Sequence, residues 1–580
     1  MKSSKTASKP KRSATSVVAA APTSRVHFWQ YALGFCIAFC ALYQVYSPAL
    51  NGPFLLDDSY LPYMLPNFYV LPIGDWIRGL RPLLMFSYWL NFKQSGNEVT
   101  FGYHLVNVVL HFFNGALIYL AVRKALSWIH AERSQQEILS VFAAGLFLFH
   151  PIQTESVSYV ASRSETLSVF FVLAAYVVFV YRKSVAVGFG TTLMVLSLFI
   201  AALLSKEHSA VLPVVLLLTD YYWNPGFSLV GIRRNWKLYV PVGVGGAIGL
   251  AFVFRIVTHS ASAGFNLRDF TWYQYFFTEC RVIWDYLRMF LLPFGQNIDY
   301  DVPVSHSVLE HGAILGLIGL IAVSVLAWIY RRSFPLASFG WFLLLVLLAP
   351  TSSFVPIKDP MAERRLYLPF IGLLFITVEF LRRWKTGRTT LVTALGLVLL
   401  AEAALSYQRN QLWGSTVDMW KDSASKSPSK VRPRFQLAYA YYQQQHCGEA
   451  VAEFAKAAQI EAPKYDLLLD WALAYDCAGN PQEAVAKLQQ AVAHTPRSAH
   501  LYSQIGMEYG KQGKYPEAME ALSTAERINP KFEMTYVYRG NIYEVQGDKA
   551  RAAEEYRRAL AIDDLQYNQA ARDGLTRLGQ

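Results

Sequence analysis

The sequence predicts an all-α protein: a polytopic membrane bundle of about eleven spans followed by a helical-repeat solenoid. Three observations lead there. Of 580 residues, 53% are hydrophobic and only 16% charged, whereas soluble domains average about 25% charged. The apolar residues fall into long runs between Phe28 and residue 406. Beyond residue 431 the composition turns polar and a 34-residue period begins.

Residues 1–27 carry Lys2, Lys5, Lys9, Lys11, Arg12 and Arg25 among Ser, Ala and Thr. They read as a disordered cytoplasmic tail. The run after them is long enough to span, so a membrane anchor is expected there rather than a cleaved signal peptide. The bundle is expected over 28–406, with spans near 28–47, 102–122, 137–150, 165–181, 188–204, 209–223, 238–257, 312–330, 335–350, 366–381 and 389–406. Basic clusters follow alternate spans: Arg123-Lys124, Arg182-Lys183, Arg233-Arg234, Arg331-Arg332 and Arg382-Arg383. Alternation from a cytoplasmic N-terminus puts all five on the cytoplasmic side if the count is odd. Residues 276–293 carry Glu279, Arg281, Asp285 and Arg288 and read as an amphipathic surface helix. The net charge of +12 is accounted for by the tail and these clusters, and does not imply nucleic acid. A linker is expected over 407–430 and a soluble domain over 431–580.

The loops expected outside hold the polar residues that look chemical. Asp57 and Asp58 follow the first span, where two adjacent carboxylates read either as a general base or as a solvated loop end or helix cap. Residues 75–92 read as a surface helix that offers Arg81 to a phosphate or to lipid headgroups. His104, Asn107 and His111 share one face of the second span, either hydrogen-bonding between helices or lining a cavity. The second outer loop brings His150, Glu155 and Arg163, in the strings His150-Pro151 to Glu155 and Arg163-Ser164-Glu165. Lys206 lies in a very short loop, and Arg364 and Arg365 in the last one. These cations suit an anionic group, either a lipid-linked phosphate or the nearby Glu207 and Glu363. Asp58 and Glu155 could share a divalent ion, although displacement of a phosphate leaving group requires no metal.

In the C-terminal part, Ala438, Ala472, Gly506 and Gly540 are each 34 residues apart. So are Tyr441, Tyr475, Tyr509 and Tyr543, and two further alanine columns begin at Ala450 and Ala457. The small residues admit close helix packing, and the array resembles about four tetratricopeptide repeats, closed by a polar helix after residue 566. Such arrays hold a protein or peptide; a plain spacer is the alternative. Cys447 and Cys477 fall on one side of the stacked repeats. An oxidising compartment favours a bridge, while the 8–10 Å spacing of packed helices opposes it.

Taken in order, Phe54-Leu-Leu-Asp57-Asp58, Arg81-Pro82-Leu83, His104 to His111, His150-Pro151 to Glu155 with Arg163, Ser205-Lys206-Glu207 and Glu363-Arg364-Arg365-Leu-Tyr-Leu-Pro369 resemble the transmembrane and tetratricopeptide-repeat O-mannosyltransferase family. The resemblance covers nearly the whole chain. It implies a family-C glycosyltransferase (GT-C-like) fold, a polyprenyl-phosphate sugar donor, an acidic base in the first outer loop, and repeats in the lumen or periplasm. The expected reaction is inverting transfer of mannose or another hexose to Ser/Thr hydroxyls of exported proteins, with no cofactor required. The short array and the lack of an Asn-x-Ser/Thr acceptor in the tail point to a bacterial inner-membrane relative. Two other classes fit less well: an O-antigen polymerase or ligase, and a non-catalytic membrane-anchored scaffold.

Overall fold

The structure, a computed structural model, describes residues 28–258, 264–267, 269–562 and 568–580. The tail at 1–27 lies outside them. The described residues contain helices and no strand. Each of the eleven apolar runs is one helix: α1 (Phe28–Tyr46), α4 (Phe101–Trp128), α5 (Arg133–Phe149), α7 (Arg163–Val180), α8 (Phe189–Leu203), α9 (Leu212–Trp223), α11 (Trp236–Val257), α13 (Ala313–Ile329), α14 (Pro335–Leu348), α15 (Phe370–Leu381) and α16 (Arg388–Trp413). Shorter helices lie between them: α2 (Ile73–Trp76), α3 (Pro82–Ser95), α6 (Thr154–Ser158), α10 (Val230–Arg234) and α12 (Trp272–Leu291).

The expected count of about eleven spans is not reached by length and apolarity. Among the described residues five helices qualify, or six if α5 and the stretch Pro151–Ser158, bent by 51°, form one broken span. For three of the missing helices the reason is geometric. α8, α14 and α15 have 15, 14 and 12 residues. At 1.5 Å per residue these reach about 18–22 Å, short of a hydrocarbon core of about 30 Å.

The bundle core is continuous, with Phe112, Phe147, Leu173, Phe339, Leu344 and Phe375 all buried. α14 and α15 pack closely, with Gly340 and Gly372 facing each other. A Cβ on Gly340 would lie 2.4 Å from the Gly372 carbonyl oxygen. α12 buries Tyr275, Thr278, Glu279, Val282, Ile283, Tyr286 and Met289, one face at helical spacing. It is absent from the helices long and apolar enough to cross a membrane. The surface helix expected over 75–92 is two helices instead. Gly79, at φ +122°, turns the chain between α2 and α3, and Pro82 opens α3.

The C-terminal part forms four antiparallel helix pairs. They are α18 (Val431–Gln443) with α19 (Cys447–Ile460), α20 (Tyr465–Cys477) with α21 (Pro481–His494), α22 (Ala499–Lys511) with α23 (Tyr515–Ile528), and α24 (Glu533–Val545) with α25 (Lys549–Ala561). The alanine columns are buried between partners. α26 (Asn568–Arg577) closes the end. Cys447 and Cys477 form a disulfide with Cα atoms 5.6 Å apart. Both lie at helix ends, where the chain approaches more closely than the axes of packed helices do.

The linker expected over 407–430 is a folded joint. It comprises the end of α16 and α17 (Thr416–Lys426). Met419, Trp420 and Ala424 of α17 share one buried cluster with Leu437 and Ala440 of α18, Ala49 and Leu55 after α1, and Tyr159. Arg432 at the start of α18 donates to both oxygens of Asp299 at 2.5 Å and to Asp359 at 2.8 Å, and Lys430 donates to Asp299 at 2.6 Å. The array is thus joined directly to the loops of the bundle.

Candidate active site

Asp57 and Asp58 lie in a tight turn directly after Leu56, which holds φ +50°. That left-handed conformation is uncommon for a branched residue, and the two aspartates that follow it have opposite surroundings. Asp58 is 1% exposed. Its Oδ2 accepts the Leu55 N–H at 2.9 Å and its Oδ1 the Tyr63 hydroxyl at 3.1 Å. Burial pushes its pKa up to about 7 against those bonds. Asp57 is exposed. Its backbone N–H donates to the Tyr159 hydroxyl at 2.8 Å. Its carboxylate accepts no hydrogen bond and forms no salt bridge among the described residues, although its charge is felt by the Arg364 guanidinium.

Tyr159 belongs to a buried stretch, residues 150–160, that leaves α5, forms α6 and turns into α7. The polar stripe of α4 holds it. Asn107 Nδ2 donates to the carbonyls of Val157 and Tyr159, each at 3.2 Å, and its Oδ1 accepts from Arg163 Nε at 3.0 Å. His111 is bonded to the Tyr367 hydroxyl at 2.9 Å and the Leu148 carbonyl at 3.2 Å. His104 Nε2 donates to the Gly52 carbonyl at 3.2 Å, just before the aspartate turn. His150 accepts the Ile152 N–H at 3.2 Å and donates to the Phe290 carbonyl at 3.1 Å. These contacts make the stripe a clamp on two loops rather than a cavity wall. Arg163 is fully buried, donates to Asn107 and to the Tyr103 carbonyl at 2.8 Å, and lies 4.6 Å from the Tyr88 ring.

Three of the expected cations come to this end of the bundle, each with a carboxylate. Arg364 donates through its N–H (3.0 Å) and its guanidinium to Glu155, whose side chain is 2% exposed. Lys206 bonds Glu165, and His208 Nε2 lies 3.5 Å from the same carboxylate. Arg81 forms a fork with Glu207 at 2.9 and 2.5 Å. Burial alone would raise the Glu207 pKa, but the guanidinium outweighs it and holds the group at about 2. Burial lowers the Lys206 pKa, with Glu165 opposing.

The pairings expected for Lys206 and Arg364 therefore change partner. Lys206 takes Glu165, 41 residues away, and Arg364 takes Glu155. Glu363 instead accepts the Asn297 N–H at 2.8 Å and the Tyr300 hydroxyl at 2.7 Å, and burial pushes it up to about 7. Arg365 does not join the group. It points to the Pro360 and Asp359 carbonyls and lies 3.1 Å from the Tyr275 hydroxyl. Asp58 and Glu155 each give their oxygens to groups of the protein, and the described residues hold no cluster of three or more His, Cys, Asp or Glu suited to a metal. Tyr159 and Glu165 are the members that residue patterns miss. A lone tyrosine carries no spacing signal, and Glu165 reads only as the polar start of a span.

The tetratricopeptide-repeat family profile matches residues 469–531 and 503–566. Several curated relatives are named protein O-mannosyl-transferases. F38B6.6 of Caenorhabditis elegans is 22% identical over 407 residues, covering 68% of this chain and 55% of that one. Human TMTC1 is 22% identical over 497 residues, covering 72% and 54%. Drosophila melanogaster Tmtc1 is 35% identical over 135 residues, covering 23% and 14%. The chain spans about half the length of the first two relatives. Among solved structures, MamA matches with a TM-score of 0.24 at 22% identity, covering 27% of this chain and 91% of that one.

Proposed function

We propose that this chain, a relative of the transmembrane and tetratricopeptide-repeat protein O-mannosyl-transferases, is a membrane glycosyltransferase that modifies proteins. The donor is a polyprenyl-phosphate sugar, mannose or another hexose, and the acceptor is a Ser or Thr hydroxyl of an exported protein held by the array. The observation that carries this reading is the Asp57 carboxylate, exposed and unpaired on a turn anchored through Asp58 and Tyr159.

Asp57 takes the proton of the acceptor hydroxyl as its oxygen bonds to the anomeric carbon. The carbon–phosphate oxygen bond breaks on the opposite face, its electron pair stays with the phosphate, and the anomeric configuration inverts. Charge grows on that phosphate, so nearby cations lower the barrier. Arg364, Lys206 and Arg81 supply them. Each already holds a carboxylate, so phosphate takes the N–H groups left over. A guanidinium has five N–H donors, and an ammonium three. Arg365 belongs to the supporting loop. A divalent ion is not required. The Cys447–Cys477 bridge supports an array on the oxidising, extracytoplasmic side of the membrane.

Paired cations would equally suit a non-catalytic scaffold. Incubation of the purified protein with defined polyprenyl-phosphate sugars and exported proteins separates the two. Intact-mass spectrometry should show one-hexose increments with the native chain and none with Asp57→Asn. No transfer from any donor, with acceptor still bound to the array, would leave the scaffold.

A further inference from the structure

At the end of the bundle away from the array, α4, α7 and α9 finish together around a polar cleft of about 210 Å³. Lys124, Trp128, Arg182, Lys183, Asp220 and Trp223 line it. Asp220 has both oxygens occupied. Oδ1 accepts from Arg182 at 2.8 Å and Asn224 at 3.2 Å, and Oδ2 from Asn235 at 2.6 Å and Tyr239 at 2.7 Å. Lys124 and Lys183 have no carboxylate partner among the described residues. Lys124 lies only against the Trp128 and Tyr181 rings, at 5.9 and 5.5 Å. The Trp223 indole N–H is buried without an acceptor. The cleft therefore holds two unspent ammonium groups around a saturated carboxylate, beside an indole N–H that finds no acceptor in the fold. An unpaired buried donor is costly, and what it lacks is an acceptor.

We infer that this cleft binds a phosphate group, carried on an anionic phospholipid of the surrounding leaflet. A phosphate offers several acceptor oxygens and negative charge to a site that has donors in excess. The stacked Trp128 and Trp223 rings, 5.4 Å apart, give it the aromatic wall typical of the membrane interface. Basic pockets between helix ends are where anionic headgroups collect. Three helix C-termini also meet here, and their partial negative charge attracts cations. Arg182 answers that attraction, donating to the Phe179 carbonyl at 2.9 Å. Neither lysine, nor the indole N–H, bonds a terminal carbonyl among the described residues.

The test uses the full chain in nanodiscs of phosphatidylcholine, with or without one quarter phosphatidylglycerol. Thermal unfolding and native mass spectrometry of retained lipid are read together. The native chain should melt higher with phosphatidylglycerol and retain it. Lys124→Gln with Lys183→Gln should bind it at least about tenfold more weakly, since each interfacial cation contributes about 1 kcal/mol. Trp223→Phe, which keeps the ring and removes the N–H, should lose part of the shift. Lys385→Gln with Arg388→Gln, two exposed cations outside the cleft, should keep all of it. Inorganic phosphate added to plain phosphatidylcholine discs gives the second arm. An equal shift from free phosphate would keep the phosphate site but overturn the lipid assignment. An anionic-lipid shift that survives in the double lysine variant, or no shift in the native chain, would overturn the site.

Discussion

Asp57 and Asp58 are neighbours in sequence with opposite surroundings, and their variants should separate accordingly. Asp57→Asn removes a free base and should lower transfer by about 10²–10⁴-fold with an unchanged melting curve. Wild-type transfer by that variant would refute the assignment. Asp58→Asn should act on stability. Burial holds the Asp58 carboxyl at about 7 in the fold, against 3.8 for an exposed aspartate. The folded state thus keeps a proton that the unfolded chain releases above pH 3.8. This group's contribution is therefore full below pH 3.8 and is lost as pH rises through 7. Glu363 and Glu279, also pushed up to about 7 by burial, add in the same direction. His150, which burial holds at about 4, works in the opposite sense over the same range, so the test is comparative: between pH 4 and 7 the melting temperature of Asp58→Asn should fall less, or rise more, than that of the native chain. Parallel curves would show that Asp58 does not titrate in that window.

Between elements, ion pairs tie one loop to the next, and they confound any simple charge deletion. Arg364→Met strands Glu155, whose side chain is 2% exposed. Breaking a buried pair typically costs about 3–5 kcal/mol, so a large drop in melting temperature is expected. Adding Glu155→Gln removes the stranded charge and should restore much of it. If Arg364 also holds the donor phosphate, the double variant remains about ten- to a hundredfold weaker for a polyprenyl-phosphate sugar, the worth of one charge-assisted bond. Recovery of both stability and donor affinity would confine Arg364 to holding its loop.

For the whole molecule, the joint at 407–430 decides how the array stands on the bundle. Arg432 bridges Asp299 and Asp359, and Asp359 lies in the loop that ends in Arg364. Arg432→Met should loosen that joint. Limited proteolysis should then cut near residues 426–431 at least several-fold faster, while the bundle's own melting is little changed. Unchanged cutting would show that the buried apolar cluster alone secures the array. An odd number of crossings would place the array opposite the basic clusters. A phosphatase fused after Gln580 should accordingly be active only as an exported enzyme, and a fluorescent cytoplasmic fusion would reverse that orientation.

Much of the architecture was legible without coordinates, because hydrophobic periodicity and repeat spacing are local signals. All eleven apolar runs became helices, and the 34-residue columns of Ala, Gly and Tyr became four packed pairs. The sequence by itself also marked the aspartate turn and gathered Glu155, Lys206 and Arg364 as candidates, since charge in an apolar setting stands out. What only the tertiary structure decided was pairing. Lys206 meets Glu165 rather than Glu207, Arg364 meets Glu155 rather than Glu363, and Arg365 turns away. Tyr159 holds Asp57 from 102 residues away. Such partners are chosen by how loops fold back over helix ends, and neighbouring residues carry no record of that. The stretch 407–430 makes the same point at larger scale. Its polar composition suits a flexible linker, but Trp413 and Trp420 find apolar partners only once the segment after α1, the stretch 150–160 and the first repeat are in place.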